Sequence, residues 1–329
     1  MEKHRSQSGK TNRKKVVPKT VHDNFKSFDV IIIGGGAGGM SAALWCDELG
    51  LKTLLLEENE EPGGQLRRVF NPIKNHLGAG AKNGRELQKN FLKQIKSRKV
   101  TIHSKSKVVR VDIKKKYVVL ETGEKIEWRF LIIATGVRRR KIGAEDEEKF
   151  QNRGIIESGK RDAKSVKNKS AAIVGGGDAA LENALILAET ALEVTLIHRR
   201  ENFRARAKFL DKVKTNKKIK ILTETIVTKF NGNEKLESLE LKNLKTSEIF
   251  TLPVEAVLLR IGVEPNTEIC RGKIDLDKNG YVKINDVCET SAKDIFAIGD
   301  AANPLAPTIS GAVGMGATAA KAIFAKLNS

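Results

Sequence analysis

The sequence predicts an α/β protein in which one strand–glycine turn–helix–strand unit is written twice. The second copy is set inside the sequence of the first domain. Three observations carry this prediction. Val30-Ile31-Ile32-Ile33 runs into Gly34-Gly35-Gly36-Ala37-Gly38-Gly39 and then into the helix-forming Met40-Ser41-Ala42-Ala43-Leu44. Ala171-Ala172-Ile173-Val174 runs into Gly175-Gly176-Gly177-Asp178-Ala179-Ala180 and a helix from Leu181 to Thr190. A late strand, Asp294-Ile295-Phe296-Ala297-Ile298, ends in Gly299-Asp300 before a helix rich in glycine and alanine.

Four aliphatic residues in a row read as a strand buried on both faces of a parallel sheet. Gly34, Gly36 and Gly39 have the spacing of a dinucleotide-binding turn. The first permits the sharp turn, the second lets a pyrophosphate approach the backbone, and the third lets helix and strand pack closely. The helix start supplies free N–H donors and a partial positive charge. The helix closes near Gly50, and the next strand, Lys52-Thr53-Leu54-Leu55-Leu56, ends in Glu57. An acid at that place grips a ribose hydroxyl pair and repels a 2′-phosphate, so the ligand is the adenosine half of FAD or NAD.

Between the two copies lie an amphipathic helix from Asn83 to Ile95 and short strands around Val108–Val111, Tyr117–Leu120 and Ile126–Trp128. Phe130-Leu131-Ile132-Ile133-Ala134-Thr135-Gly136 reads as a buried strand and the exit from the first domain. The charged run from Val137 to Lys141 reads as a surface linker. In the second copy the third small residue is Ala180, an accepted variant of the glycine. Its second strand, Glu193-Val194-Thr195-Leu196-Ile197, ends in His198-Arg199-Arg200-Glu201-Asn202-Phe203-Arg204 instead of an acid. Arginines there neutralise a 2′-phosphate, so the second ligand is NADPH. Hairpins follow, with Asn231-Gly232 as a turn, and Ala256 to Gly262 reads as the return crossing. Small residues Gly311, Gly314 and Gly316 leave two readings open, a flat ligand or tight helix packing.

Composition narrows the function. There are 329 residues with 40% hydrophobic content, enough for two domains with cores. No apolar run reaches transmembrane length and no leader-like apolar segment precedes the first strand, which predicts a cytoplasmic protein. Cys46, Cys270 and Cys288 are far apart, and no Cys-x-x-Cys occurs. Five histidines without ligand spacing predict no metal site. Residues 1–26 are basic and poor in apolar side chains. They read as a solvated, disordered tail rather than a nucleic-acid or membrane anchor. The formal charge of +20 is spread along the chain. Two nucleotide sites of opposite ribose preference imply hydride transfer from NADPH to FAD.

Gly34–Gly39, Gly63-Gly64-Gln65-Leu66, Ala134-Thr135-Gly136, Gly175-Gly176-Gly177-Asp178, His198 to Ala205 and Gly299-Asp300 together resemble the low-molecular-weight thioredoxin reductases. The likeness runs from about Phe28 to the end. It implies two Rossmann-like, three-layer domains, the NADPH-binding one inserted in the FAD-binding one. The expected division is a tail over 1–26, an FAD domain from 27–136 and 262–329, and an NADPH domain over 137–261. The resemblance puts Gly64, Gln65, Ala134, Thr135 and Gly136 by the flavin and Asp300 on its ribityl chain. Gly175, Gly177 and Ala180 would take the NADPH pyrophosphate, and Arg199, Arg200 and Arg204 its 2′-phosphate. It also implies a homodimer, and a swivel on crossing strands near Thr135–Val137 and Arg260–Glu264.

One departure changes the chemistry. Where the family carries Cys-Ala-Thr-Cys-Asp, this chain has Ser158-Gly159-Lys160-Arg161-Asp162. Neither Ser158 nor Arg161 can exchange disulfides. The expected activity is an NADPH-dependent FAD oxidoreductase that serves an external acceptor such as a ferredoxin, a flavodoxin or a small oxidant. The alternatives are a ferredoxin/flavodoxin-NADP reductase of the same architecture and a nucleotide-binding redox sensor without turnover. The family's Arg-Gln-Ala ahead of the last helix is replaced by Ala306-Pro307-Thr308.

Overall fold

The computed structural model describes residues 28–329, so the basic tail of the sequence lies outside the described residues. The chain opens with β1 (Val30–Ile33), α1 (Ala37–Glu48) and β2 (Thr53–Leu56). Then come α2 (Gly84–Lys96), β3 (Thr101–His103) and an antiparallel meander of β4 (Val108–Asp112), β5 (Tyr117–Leu120) and β6 (Lys125–Glu127). β7 (Phe130–Ile133) closes this part, and β8 (Val137–Arg139) leads out of it.

The second part runs through β9 (Ile155–Ile156), α3 (Gly159–Asp162), β10 (Ser170–Val174), α4 (Asp178–Ala188), β11 (Glu193–Ile197), α5 (Ala207–Thr215) and β12 (Ile219–Leu222). Its meander is β13 (Thr225–Asn231), β14 (Ser238–Asn243) and β15 (Ile249–Pro253), followed by β16 (Ala256–Leu259). β17 (Val263–Pro265) leads back to β18 (Ile295–Ala297) and α6 (Ile309–Leu327).

Both parallel sheets have one plan. The first is ordered β3-β2-β1-β7-β18 and the second β12-β11-β10-β16-β9. Only the fifth strand differs in origin, since β18 enters after the second sheet and β9 before it. Strand alternation builds the three layers. Val30 and Ile32 pack on α1 and α6, while Ile31 and Ile33 pack on the β4–β6 meander. Ala171 and Ile173 pack on α4, while Ala172 and Val174 face the β13–β15 meander. A fully buried Ile or Leu contributes roughly 1.5–3 kcal/mol, so a strand aliphatic on both faces serves two cores.

α2 begins at Asn83, whose side chain accepts the Glu86 N–H, and it buries Leu87, Leu92 and Ile95. The glycines of α6 serve helix packing. A Cβ on Gly316 would lie 2.7 Å from both the Gly38 carbonyl oxygen and the Ala42 nitrogen of α1.

Two connecting segments differ from the sequence expectations. Val137 to Lys141 is not a plain surface linker, because Val137 is buried and β8 pairs antiparallel with β17. Ala256–Leu259 is not the return crossing. It is buried throughout and pairs with β10 and β9 inside the second sheet, so the return is made by β17. Its apolar run satisfies either role, and only the pairing separates them.

Candidate active site

A cleft of about 850 Å³ opens at the carboxyl ends of β1, β7 and β18. This is where open α/β sheets bind ligands. Of the residues singled out in the sequence, Gly34, Gly36, Glu57, Gly64 and Gln65 line it. So do Ala134, Thr135, Gly136, Gly299 and Asp300. Gly39 does not. It works behind the turn, where a Cβ would come 1.9 Å from the Gly34 carbonyl oxygen. Gly34 has φ +104 and sits against the Ala134 carbonyl, so this turn requires glycine twice.

Glu57 is buried and engaged through both oxygens. Its Oε2 accepts the Gly35 N–H at 2.8 Å, and its Oε1 accepts the backbone and side-chain N–H groups of Asn59 at 2.9 and 2.7 Å. The carboxylate therefore braces the glycine turn. Asn59 is a site residue that the sequence reading missed, and its only signal is its place two residues after the acid. Burial pushes the Asp300 carboxyl above its usual range. Gln65 Nε2 donates to the Val137 carbonyl at 2.5 Å and ties the cleft loop to β8.

The cleft fits an extended dinucleotide such as FAD. α1 starts at its wall with Gly36 as N-cap and no side chain capping the free N–H groups. A Cβ on Gly36 or Gly136 would meet nothing within 4 Å, so both backbones stand open to a ligand. The Thr135 hydroxyl is buried without a partner in a residue that lines the cleft.

The second glycine turn lies elsewhere. Gly175, Gly177, Ala180, Arg199, Arg200 and Arg204 do not line this cleft. Gly175 has φ +154 and sits against the Arg260 carbonyl, as Gly34 sits against Ala134. Arg199, Arg200 and Arg204 are exposed, and none forms an ion pair among the described residues. The Arg204 N–H donates to the Gly176 carbonyl at 2.9 Å, which folds the basic loop back onto the turn. Asp178 is held by Arg206 at 2.6 Å. His198 was passed over in the sequence. It is buried with its ring against Gly176 and stacked on Phe203 at 4.8 Å between centroids. Its signal was its position, one residue past the strand, as for Glu57.

Ser158 caps α3, its hydroxyl accepting the Arg161 N–H at 3.3 Å. Burial tends to raise the Asp162 carboxyl, but Arg161 and the N–H groups of Ser158 and Glu157 outweigh that and hold it below the usual range. Cys46, Cys270 and Cys288 are buried, and none lines the cleft. Burial pushes their thiols up to about 12, about 12 and about 11. The described residues contain no cluster that could hold a metal ion and no helix long and apolar enough to cross a membrane.

Residues 28–316 match the family described as pyridine nucleotide-disulphide oxidoreductase. The chain is 30% identical over 296 residues to a 34.2 kDa protein in the rubredoxin operon of Clostridium pasteurianum, covering 90% of this chain and 96% of that one. It is 32% identical to the thioredoxin reductase of Streptomyces coelicolor, covering 89% and 91%. Among solved structures, Lactococcus lactis thioredoxin reductase in its FR conformation superposes with a TM-score of 0.79 at 29% identity, covering 91% and 98%. The chain belongs to the pyridine nucleotide-disulphide oxidoreductase family, as a flavin-dependent NAD(P)H oxidoreductase of the thioredoxin reductase type that uses FAD and NADPH.

Proposed function

We propose that this chain oxidises NADPH, reduces its own FAD and hands the electrons to an external acceptor without an internal disulfide relay. The observation that carries this reading is the state of the sulfur. All three cysteines are buried away from the cleft with thiols pushed to about 11 or 12, so almost no thiolate exists near neutral pH. Ser158 and Arg161 stand where the resembled reductases carry their cysteines, and both are committed to capping and pairing.

In this reading residues 27–136 and 262–329 hold FAD and residues 137–261 hold NADPH. Gly34, Gly36 and the start of α1 face the FAD pyrophosphate, Glu57 takes the adenosine ribose, and Asp300 the ribityl chain. Gly64, Gln65, Ala134, Thr135 and Gly136 bound the flavin. Gly175, Gly177 and Ala180 seat the NADPH pyrophosphate, and Arg199, Arg200 and Arg204 neutralise its 2′-phosphate. When bound, the flavin accepts a hydride and releases electrons to a partner. The protein supplies position.

The acceptor that suits this chain best is a small acidic redox protein. A formal charge of +20 steers an acidic partner, and one relative is encoded in a rubredoxin operon. A ferredoxin or flavodoxin fits the same chemistry, and the chain is read as a cytoplasmic homodimer. Anaerobic stopped-flow mixing with NADPH is expected to bleach the flavin, and added rubredoxin, ferredoxin or flavodoxin to restore its colour. A bound flavin that NADPH leaves oxidised would overturn the oxidoreductase reading. Turnover of a thioredoxin disulfide would overturn the absence of a relay.

A further inference from the structure

β10, β16 and β9 lie side by side and parallel in the second sheet, so their carboxyl ends share one edge. Gly175 follows the first of these strands, Arg260 the second and Glu157 the third. Backbone contacts tie this edge together. The Arg260 N–H donates to the Val174 carbonyl at 2.7 Å, and the Arg260 carbonyl oxygen would meet a Cβ on Gly175 at 2.3 Å. Past β9, the Gly159 N–H donates to Asn183 Oδ1 at 2.9 Å, which fastens the segment to α4, the helix of the second turn.

Two guanidinium groups converge on the same edge. Arg260 Nη2 and Arg139 Nη1 donate to one acceptor, the Glu157 carbonyl, at 2.8 and 2.6 Å, and Arg260 Nη1 donates to the Leu259 carbonyl at 3.0 Å. Both arginines are half-buried, and neither forms an ion pair among the described residues. The neighbouring carboxylates are taken, since Arg161 donates to Asp162 at 2.6 and 2.9 Å and to Glu157 at 2.9 Å. Burial pulls the Arg260 guanidinium down to about 10, and Arg139 beside it adds to the drop. Burial lowers Arg139 as well, with the Glu157 carboxylate opposing. Two charges are thus held side by side on neutral carbonyls, which costs stability. Charges kept in that state collect at ligand sites. Their remaining N–H groups can only donate, so the ligand must bring acceptor oxygens.

The order of the strands identifies that ligand. In the reading above, the 2′-phosphate of NADPH lies past β11 and its pyrophosphate at the turn after β10. The next strands along the sheet are β16 and β9, each about 4.8 Å further on. A dinucleotide laid across this edge carries its nicotinamide half onto the ends of β16 and β9, where the two guanidiniums stand. We propose that Arg139 and Arg260 hold the nicotinamide half of NADPH, donating to the oxygens of its ribose and carboxamide. The second glycine turn and Arg199, Arg200 and Arg204 hold the other half. The inference rests on the assignment of NADPH to the second turn.

The test compares two ligands by isothermal titration of the FAD-loaded protein. Tetrahydro-NADP is a neutral analogue that keeps both halves of the nucleotide and cannot donate hydride. Adenosine 2′,5′-bisphosphate keeps only the half that the second turn and its arginines hold. Arg139→Ala and Arg260→Ala should each raise the dissociation constant of tetrahydro-NADP roughly 10- to 100-fold, the size of a charge-assisted hydrogen bond. Both variants should leave adenosine 2′,5′-bisphosphate within about twofold of the parent, because distant sites act independently. Arg199→Ala is the control and should weaken both ligands. Parental affinity for tetrahydro-NADP in both variants would overturn the proposal. Equal losses for the two ligands would overturn it too, since that is damage to the second part as a whole. If the parent binds neither ligand, the assignment of NADPH to the second turn fails and the proposal fails with it. If the parent binds both and only the variants fail to discriminate, that assignment stands and the role of Arg139 and Arg260 does not.

Discussion

Glu57 and His198 occupy the same place in the two halves of this molecule. Each is the first residue past the second strand of its sheet, and each is buried against the middle glycine of its turn. Glu57 accepts the Gly35 N–H at 2.8 Å. His198 packs its ring on Gly176 and binds the Asn202 carbonyl through Nε2 at 3.1 Å. The same backbone scaffold is thus braced by a charge in one half and by a neutral ring in the other. On the proposed assignment, a buried carboxylate excludes a second anion from the first turn. On the same assignment, a ring in place of the acid leaves Arg199, Arg200 and Arg204 free to attract one at the second turn.

The largest expected effect tests whether the two turns share one packing rule. Gly39→Ala puts a Cβ 1.9 Å from the backbone carbonyl oxygen of Gly34, whereas the second half already carries Ala180 at that place. We expect Gly39→Ala to lose about 3 kcal/mol or more of stability and most of its bound FAD, read by thermal melting and the flavin absorbance of purified protein. Near-parental stability would mean that the first turn opens as the second does.

The next effect concerns the two ribose ends. Arg199→Ala with Arg200→Ala should raise the KM for NADPH roughly 10- to 100-fold, the size of one or two charge-assisted hydrogen bonds, with the KM for NADH nearly unchanged. Steady-state kinetics with both nucleotides decides it, and equal losses would refute the 2′-phosphate assignment.

The smallest effect is one of pH. Burial lowers the His198 pKa from 6.5, with Arg200, Arg204 and Arg199 adding to it and the Asn202 carbonyl opposing. The unfolded chain therefore takes up this proton first as pH falls. Stability from a neutral His198 is complete above 6.5 and is lost between there and its lower folded value. His198→Gln should show a smaller drop in Tm between about pH 7.5 and about pH 5.5 than the parent does. Parallel pH profiles would remove His198 from this role.

Much of the fold was legible because period and punctuation agreed. Val30–Ile33 and Ala171–Val174 are aliphatic on both faces, each ends in glycines, and each glycine run becomes a helix. The first cleft was legible for the same reason, since turn, acid and Gly299-Asp300 are local signals at strand ends. The role of Val137 to Lys141 was not. Its arginines look solvated in sequence, and only pairing with β17 shows Arg138 fastening Glu264 and Glu268. Ala256–Leu259 failed likewise, because a buried strand looks the same in any sheet.

By itself, the sequence determined the two strand–turn–helix units, the opposite charge that follows the second strand of each, and the absence of any Cys-x-x-Cys. These follow from chain-local chemistry: what a backbone turn permits, which sign of charge a strand ends in, and whether a thiol exists. Tertiary structure alone decided that Glu57 braces Gly35, that Gly316 serves helix packing, and that Arg138 fastens Glu264. Each joins residues at least 22 positions apart, and no local propensity specifies such a pair. Which residue types stand at each turn is written in the sequence; the contacts that brace those turns are a property of the folded chain.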